Sequence, residues 1–308
     1  MDIVNISKKR FETLITLDLD NNITNTEAKI YSYVDRSGKH KIFKNLHRLK
    51  GSIFANKLYT LEMLDNNKDY LPPSFVIPEK LVTVNGKVMG CSERFVDGTN
   101  LQVFLDNPKI DLKEKIKHLK MIGEILKQLD YIRKDTPLKS MYLNDLHAGN
   151  FIVNKDGELE VVDLDSSRIC DNKPFPSKYL SSKSILNLST KYKIFKKADT
   201  DDKEEYEYRK ELGYVDADEN SDLFCYNMTI LNFLYRGDVN KMNIDDYYNY
   251  IYYLKKIGFD HNLINSFEKL IMNTDNDNPI EYLDTIDYKL YSESSKTLYK
   301  KALKKGKI

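Results

Sequence analysis

The feature that most constrains this chain is a change of hydrophobic period near residue 100. Before it, apolar residues mostly alternate with polar ones; after it, they recur every third or fourth position. Ala28 to Val34 alternates, Asp35-Arg36-Ser37-Gly38 supplies turn chemistry, and Lys39 to Leu46 resumes the alternation, which predicts a hairpin. Gly51 to Leu64 carries Phe54, Leu58, Leu61 and Met63/Leu64 near helical spacing, and Leu71-Pro72-Pro73 ends that region. Leu81 to Val84, Asn85-Gly86 and Lys87 onward predict a second hairpin around a tight primed turn. Val96 to Asn100 reads as a linker. Beyond it, Leu112 to Arg133 aligns Ile116, Leu119, Ile122, Leu126, Leu129 and Ile132 on one stripe. Asn150 to Val153 and Leu159 to Leu164 form a short β interlude around Lys155-Asp156-Gly157. Asp222 to Tyr235 and the tail, roughly 243 to 305, return to helical patterns. The expectation is an α+β protein with a small antiparallel β-rich unit containing one helix (1–97) and a larger, mainly helical unit (98–308).

At 308 residues the chain is long for a single core. Lys and Arg (48) balance Asp and Glu (47), so whole-chain charge offers no argument for nucleic acid or membrane as partner. Cys91, Cys170 and Cys225 form no CxxC pair and no zinc spacing. The N-terminus lacks an apolar signal region and no apolar run approaches a membrane span. A cytoplasmic protein with reduced thiols is expected.

The segment that carries chemistry is Asn144-Asp145-Leu146-His147-Ala148-Gly149-Asn150, which leads through the short hairpin into Val162-Asp163-Leu164-Asp165. Four residues separate Asp145 from Asn150, and Asp163 ends the next strand. Phosphoryl transfer uses such a set: one carboxylate to position or deprotonate a hydroxyl, and an amide and a second carboxylate to hold Mg²⁺ against phosphates. Singly, these residues read as a turn residue, a cap and an Asx turn. It is their order and spacing together that point to catalysis.

This constellation resembles the catalytic loop and metal-binding motif of the protein-kinase-like superfamily. Asp-Leu-His-Ala-Gly-Asn is similar to the Asp-Leu-His-Pro-Gly-Asn of the aminoglycoside and choline kinase branch, and Asp163-Leu164-Asp165 stands where DFG would be. The resemblance implies a two-lobed fold and an ATP- and Mg²⁺-dependent transfer to a hydroxyl. Asp145 would be catalytic, and Asn150 and Asp163 would be metal ligands. It also implies a strand lysine for the ATP phosphates, Lys44 in Lys41-Ile42-Phe43-Lys44, with Lys41 and Lys50 as competitors, and a helix glutamate to hold it, Glu62. Cys91 to Gly98 resembles the adenine-binding hinge, around Arg94, Phe95 and Val96. Asp222 resembles the helix aspartate that ties down the catalytic loop.

Departures from the pattern shape the expectation. The phosphate-covering stretch Ile23 to Ala28 has no glycine, which restricts close backbone approach. Leu143-Asn144 stands for His-Arg, His147 for the usual lysine, and there is no APE motif. These lean away from a conventional regulated protein kinase, and leave a protein or a small-molecule hydroxyl as acceptor. A nucleotide-binding pseudokinase and a nucleotidyl transferase of the same fold remain as alternatives. Asp199, Asp201, Asp202, Glu204 and Glu205 form an acidic run that reads as a solvated face.

Overall fold

The computed structural model describes residues 1–16, 28–46, 51–170, 219–272 and 276–306. Ile23 to Glu27 of the glycine-free stretch, Lys50 and the acidic run at 199–205 lie outside them.

The chain is α+β. A six-stranded sheet is built from β1 (Asp2–Ile6), β2 (Ile15–Thr16), β3 (Lys29–Val34), β4 (His40–Asn45), β5 (Lys80–Val84) and β6 (Lys87–Arg94). Their spatial order is β1-β5-β6-β4-β3-β2. Both expected hairpins form. β3 pairs antiparallel with β4, and the Asp35 carboxylate accepts the Ser37 N–H (2.8 Å) and Lys39 N–H (3.0 Å) inside their turn. β5 pairs with β6 around Asn85 (φ 52°) and Gly86 (φ 79°), the left-handed pair that a primed turn requires. The parallel pairing of β1 with β5 has no local sequence signal, because the partners are nearly eighty residues apart.

The helix between the hairpins, α2 (Gly51–Asn66), packs on the sheet side that carries the site. Phe11, just outside β1 on the short helix α1 (Lys8–Phe11), packs tilted on Tyr31 and edge-on against Phe43, which stack on each other in a small separate core. β6 must pass very close to β4: a Cβ on Gly90 would lie 1.9 Å from the Lys44 carbonyl oxygen. Only glycine fits there.

Beyond Arg94 the chain crosses through residues 95–97 into β7 (Gly98–Asn100), which pairs with β8 (Phe151–Asn154), itself paired with β9 (Leu159–Val161). The segment read as a linker therefore contains a strand, and it continues into α3 (Leu101–Asp106), capped by the Asn100 side chain. α4 (Leu112–Asp135) starts at an Asp111 cap and buries the predicted stripe from Ile116 to Ile132. α5 (Glu219–Tyr235) is buried nearly all round, as a central helix must be. Around it pack α6 (Ile244–Ile257), α7 (His261–Met272), α8 (Tyr288–Glu293) and α9 (Lys296–Lys304). Buried tyrosines in this region satisfy their hydroxyls on backbone carbonyls: Tyr226 on Leu119, Tyr247 on Phe267 and Tyr250 on Ser294. Among the described residues no helix is long and apolar enough to cross a membrane. All three cysteines are free.

Candidate active site

The short β8–β9 hairpin organises the site. Phe151 pairs with Val161, and the Val162 N–H donates to the Asn150 carbonyl at 2.9 Å. That register sets Asn150, just before β8, alongside Asp163, just after β9. The strand ends at Val161, earlier than the expected Leu164, because Asp163 adopts a left-handed conformation (φ 65°, ψ 40°) and Leu164 to Ser166 form a 3₁₀ turn. Asn144, before Asp145, is also left-handed (φ 62°). Two non-glycine residues in this sparsely populated region, one on each side of the hairpin, mark a backbone held by its surroundings.

The loop carrying Asp145 is held from three directions. The Asp222 carboxylate, on the first turn of α5, accepts the Leu143 N–H (2.8 Å) and the Asn144 N–H (3.0 Å). The Asn144 side chain donates to the Ser166 carbonyl at 3.0 Å, tying the loop to the Asp163–Ser166 turn. Asn100 of β7 donates to the Gly149 carbonyl at 2.7 Å. The Asp145 carboxylate keeps 26% of its side chain exposed. The Asn150 amide nitrogen faces Asp145, 2.9 Å from its carbonyl and 3.4 Å from Oδ2. The Asn150 amide oxygen therefore points the other way. His147 accepts the Gly149 N–H on Nδ1 (3.0 Å) and brings Nε2 to 3.9 Å from Asp145. Through the Gly149 contact it shapes the loop.

Lys44 reaches the site from β4. Its ammonium pairs with the carboxylates of both Asp163 and Asp165. Asp165 is fully buried and is held a second time by Lys57 of α2, at 2.9 Å. Lys57 also donates to the Ser166 hydroxyl at 2.9 Å. Burial alone would lower the Lys44 ammonium, but Asp163, Asp165 and Glu93 outweigh it and hold it well above its ordinary value. Burial would raise Asp165, yet its two lysines hold it well below the usual carboxylate range. Burial pushes Asp163 up, to about 8, against the pull of Lys44 and with the help of the Asp165 charge. Solvent on the 34% of its side chain that stays exposed moderates that rise. Glu93 on β6 is buried and raised to about 7, chiefly by burial, with Lys44 opposing. Behind it, burial and Glu93 keep the Cys91 thiol well above its ordinary value.

The other expected residues fall as follows. Glu62 is exposed on the outer face of α2 and pairs with nothing in the site; the inward position of that helix belongs to Lys57. This corrects the expected Lys44–Glu62 pair. The physical reason is helical phase: Lys57, Thr60, Leu61 and Leu64 share the buried face, and Glu62 is turned away from it. Lys41, a competitor for the phosphate lysine, is engaged by Glu79 at 2.6 Å. In the crossing segment, the Arg94 guanidinium pairs with Glu160 and donates to the Pro73 carbonyl at 3.2 Å. The Phe95 N–H is taken by the His40 carbonyl at 3.3 Å, and its ring packs on the His40 ring. Of the three, Val96 is the one whose backbone N–H and C=O meet no partner among the described residues.

Beyond His147 lies a cavity of about 560 Å³, lined by Gln102 and Asp106 of α3, His147, and Asn232, Arg236 and Asp238 at the end of α5. No group of three or more His, Cys, Asp or Glu side chains is gathered for a metal among the described residues. The fit to a divalent cation is a two-ligand one: the outward amide oxygen of Asn150 and the Asp163 carboxylate, which keeps 34% of its side chain exposed. Mg²⁺ suits such a pair, because it keeps several water or phosphate ligands.

Sequence reasoning missed Lys57, Asp165 and Glu93. Asp165 was visible as the second acid of Asp163-Leu164-Asp165. Lys57 had one signal, its position within the helical stripe Phe54, Leu61, Leu64. Glu93 had none, since burial of a strand glutamate depends on the helix packed over it.

No protein-family model matches the chain, and no curated protein matches it in sequence. The site is therefore read from its own chemistry.

Proposed function

We propose that the chain is a two-lobed, kinase-like phosphotransferase that moves the γ-phosphoryl group of ATP to a hydroxyl acceptor, with residues 1–97 and 98–308 as the lobes. One observation carries the reading. Lys44 and Asp163 were singled out for different roles, lie 119 positions apart, and form an ion pair beside Asn150 and Asp145.

In this reading the Val96 backbone offers one donor and one acceptor to adenine, and Lys44 meets the phosphates. Asn150 and Asp163 would hold Mg²⁺, which when bound neutralises phosphate charge. Asp145 orients the acceptor hydroxyl and takes its proton as the new O–P bond forms and the bond from phosphorus to ADP breaks. Asn150 keeps the Asp145 carboxylate directed through its amide N–H. The acceptor would enter by the cavity beside His147, whose lining of amides, carboxylates and a guanidinium suits a polar molecule.

A second reading, a nucleotide-binding module without turnover, is favoured by the exposure of Glu62, which leaves Lys44 without the helix glutamate such enzymes use. Magnesium-dependent ATP turnover, measured against a panel of proteins and small hydroxyl compounds, separates the two. The phosphotransferase reading expects turnover that falls roughly 10²–10³-fold in Asp163→Asn and in Asp145→Asn. ATP binding without turnover on any acceptor supports the second reading, and absence of binding overturns both.

A further inference from the structure

We infer that Lys57 and Asp165 are the positioning pair for Lys44, doing with reversed charge what a helix glutamate would do. The inference rests on the phosphotransferase reading for its consequence, but its geometry stands on the structure alone.

α2 presents to the site a cation in place of a carboxylate. Lys57 is 1% exposed, and Thr60 and Leu61 beside it are fully buried, so this face of the helix is closed to solvent. From it Lys57 reaches Asp165 and Ser166, and the Thr60 hydroxyl donates to the Ser167 carbonyl at 3.3 Å. The helix thus grips three consecutive residues of the turn that follows Asp163. Asp165 divides its two oxygens: Oδ1 takes Lys44 and Oδ2 takes Lys57. It has no exposed surface left for a metal ion, which sets it apart from Asp163 two residues earlier.

The charges require this arrangement. Lys44 is buried and needs a fixed carboxylate that stays behind when Asp163 turns to a cation. Asp165 is the fully buried carboxylate that both lysines share, one on each oxygen. Lys57 therefore acts on the phosphates only through Asp165 and Lys44.

A merely structural salt bridge and a positioning pair are told apart by a double substitution. Breaking one side, in Lys57→Met or Asp165→Asn, lowers both thermal stability and kcat/KM for ATP, the latter by about 10–100-fold, the usual effect of removing an outer partner of a functional group. Lys57→Met/Asp165→Leu removes both charges together, so the melting temperature returns toward wild type. If the pair positions Lys44, turnover stays low in this stable double variant; wild-type turnover there would overturn the inference. The ¹⁵Nζ resonance of Lys44, recorded with labelled lysine and assigned by Lys44→Arg, reads the same pair without any activity. It shifts in Lys57→Met if the two lysines share Asp165, and an unchanged resonance overturns the inference. If wild type itself turns over no ATP, the phosphotransferase reading fails while this resonance still decides the pair.

Discussion

Asp222→Ala tests the anchoring of the loop that carries Asp145 most directly. The Asp222 carboxylate is 2% exposed and accepts two backbone N–H groups, from Leu143 and Asn144, which are themselves buried. Hydrogen bonds to a charged acceptor contribute roughly 1.5–3 kcal/mol each, and alanine leaves both donors buried without that partner. The expected loss is about 3–6 kcal/mol, offset in part because the buried carboxylate is no longer desolvated. Asn144 adds to it, since its left-handed backbone (φ 62°) is held by this contact. The chain has 22 tyrosines and no tryptophan, so urea unfolding is followed by tyrosine fluorescence together with far-ultraviolet circular dichroism. Amide hydrogen exchange at Leu143 and Asn144 localises the effect. At 1.4 kcal/mol per tenfold, their protection falls by roughly 10²-fold or more. Asp222→Asn keeps one acceptor oxygen and lies between alanine and wild type. A loss below about 1 kcal/mol in Asp222→Ala, with both amides still protected, would refute the anchoring role.

Two further predictions concern β6. Glu93 has its proton affinity raised by burial, from an ordinary 4.5 to about 7. The unfolded chain therefore releases that proton first, and the group destabilises the fold progressively from pH 4.5 to 7 and fully above it. At 1.36 kcal/mol per tenfold in proton affinity, Glu93→Gln stabilises the protein by up to about 3 kcal/mol at pH 8 and by little at pH 4. An equal difference at both pH values, in paired urea titrations, contradicts that account. Gly90→Ala places a methyl group against the Lys44 carbonyl and forces β4 and β6 apart, costing about 1–3 kcal/mol or more and, on the proposed phosphotransferase reading, weakening nucleotide binding through Lys44. An unchanged melting temperature would show that the close strand approach is not needed.

Local chemistry in the sequence was enough for the elements whose signals are short-ranged. The two hairpins of the large sheet follow from alternation and from Asp35 and Asn85-Gly86, and α4 follows from its stripe of Ile and Leu. The α+β class is legible for the same reason: the period of burial is written residue by residue. Asp145, Asn150 and Asp163 were legible as a set because one hairpin spans them, and a hairpin is local. What only the tertiary structure decided is whatever depends on phase or on distant partners. The β1–β5 pairing joins segments nearly eighty residues apart. The choice of Lys44 over Lys41 depends on where Glu79 lies. Most of all, the choice of Lys57 over Glu62 is a rotation of one helix about its axis. Their places in the sequence differ by five residues, and an apolar stripe broad enough to suggest either side leaves that rotation open. The neighbour that settles it is Asp165, more than a hundred residues away and fully buried, which needs a cation beside it and finds one on α2.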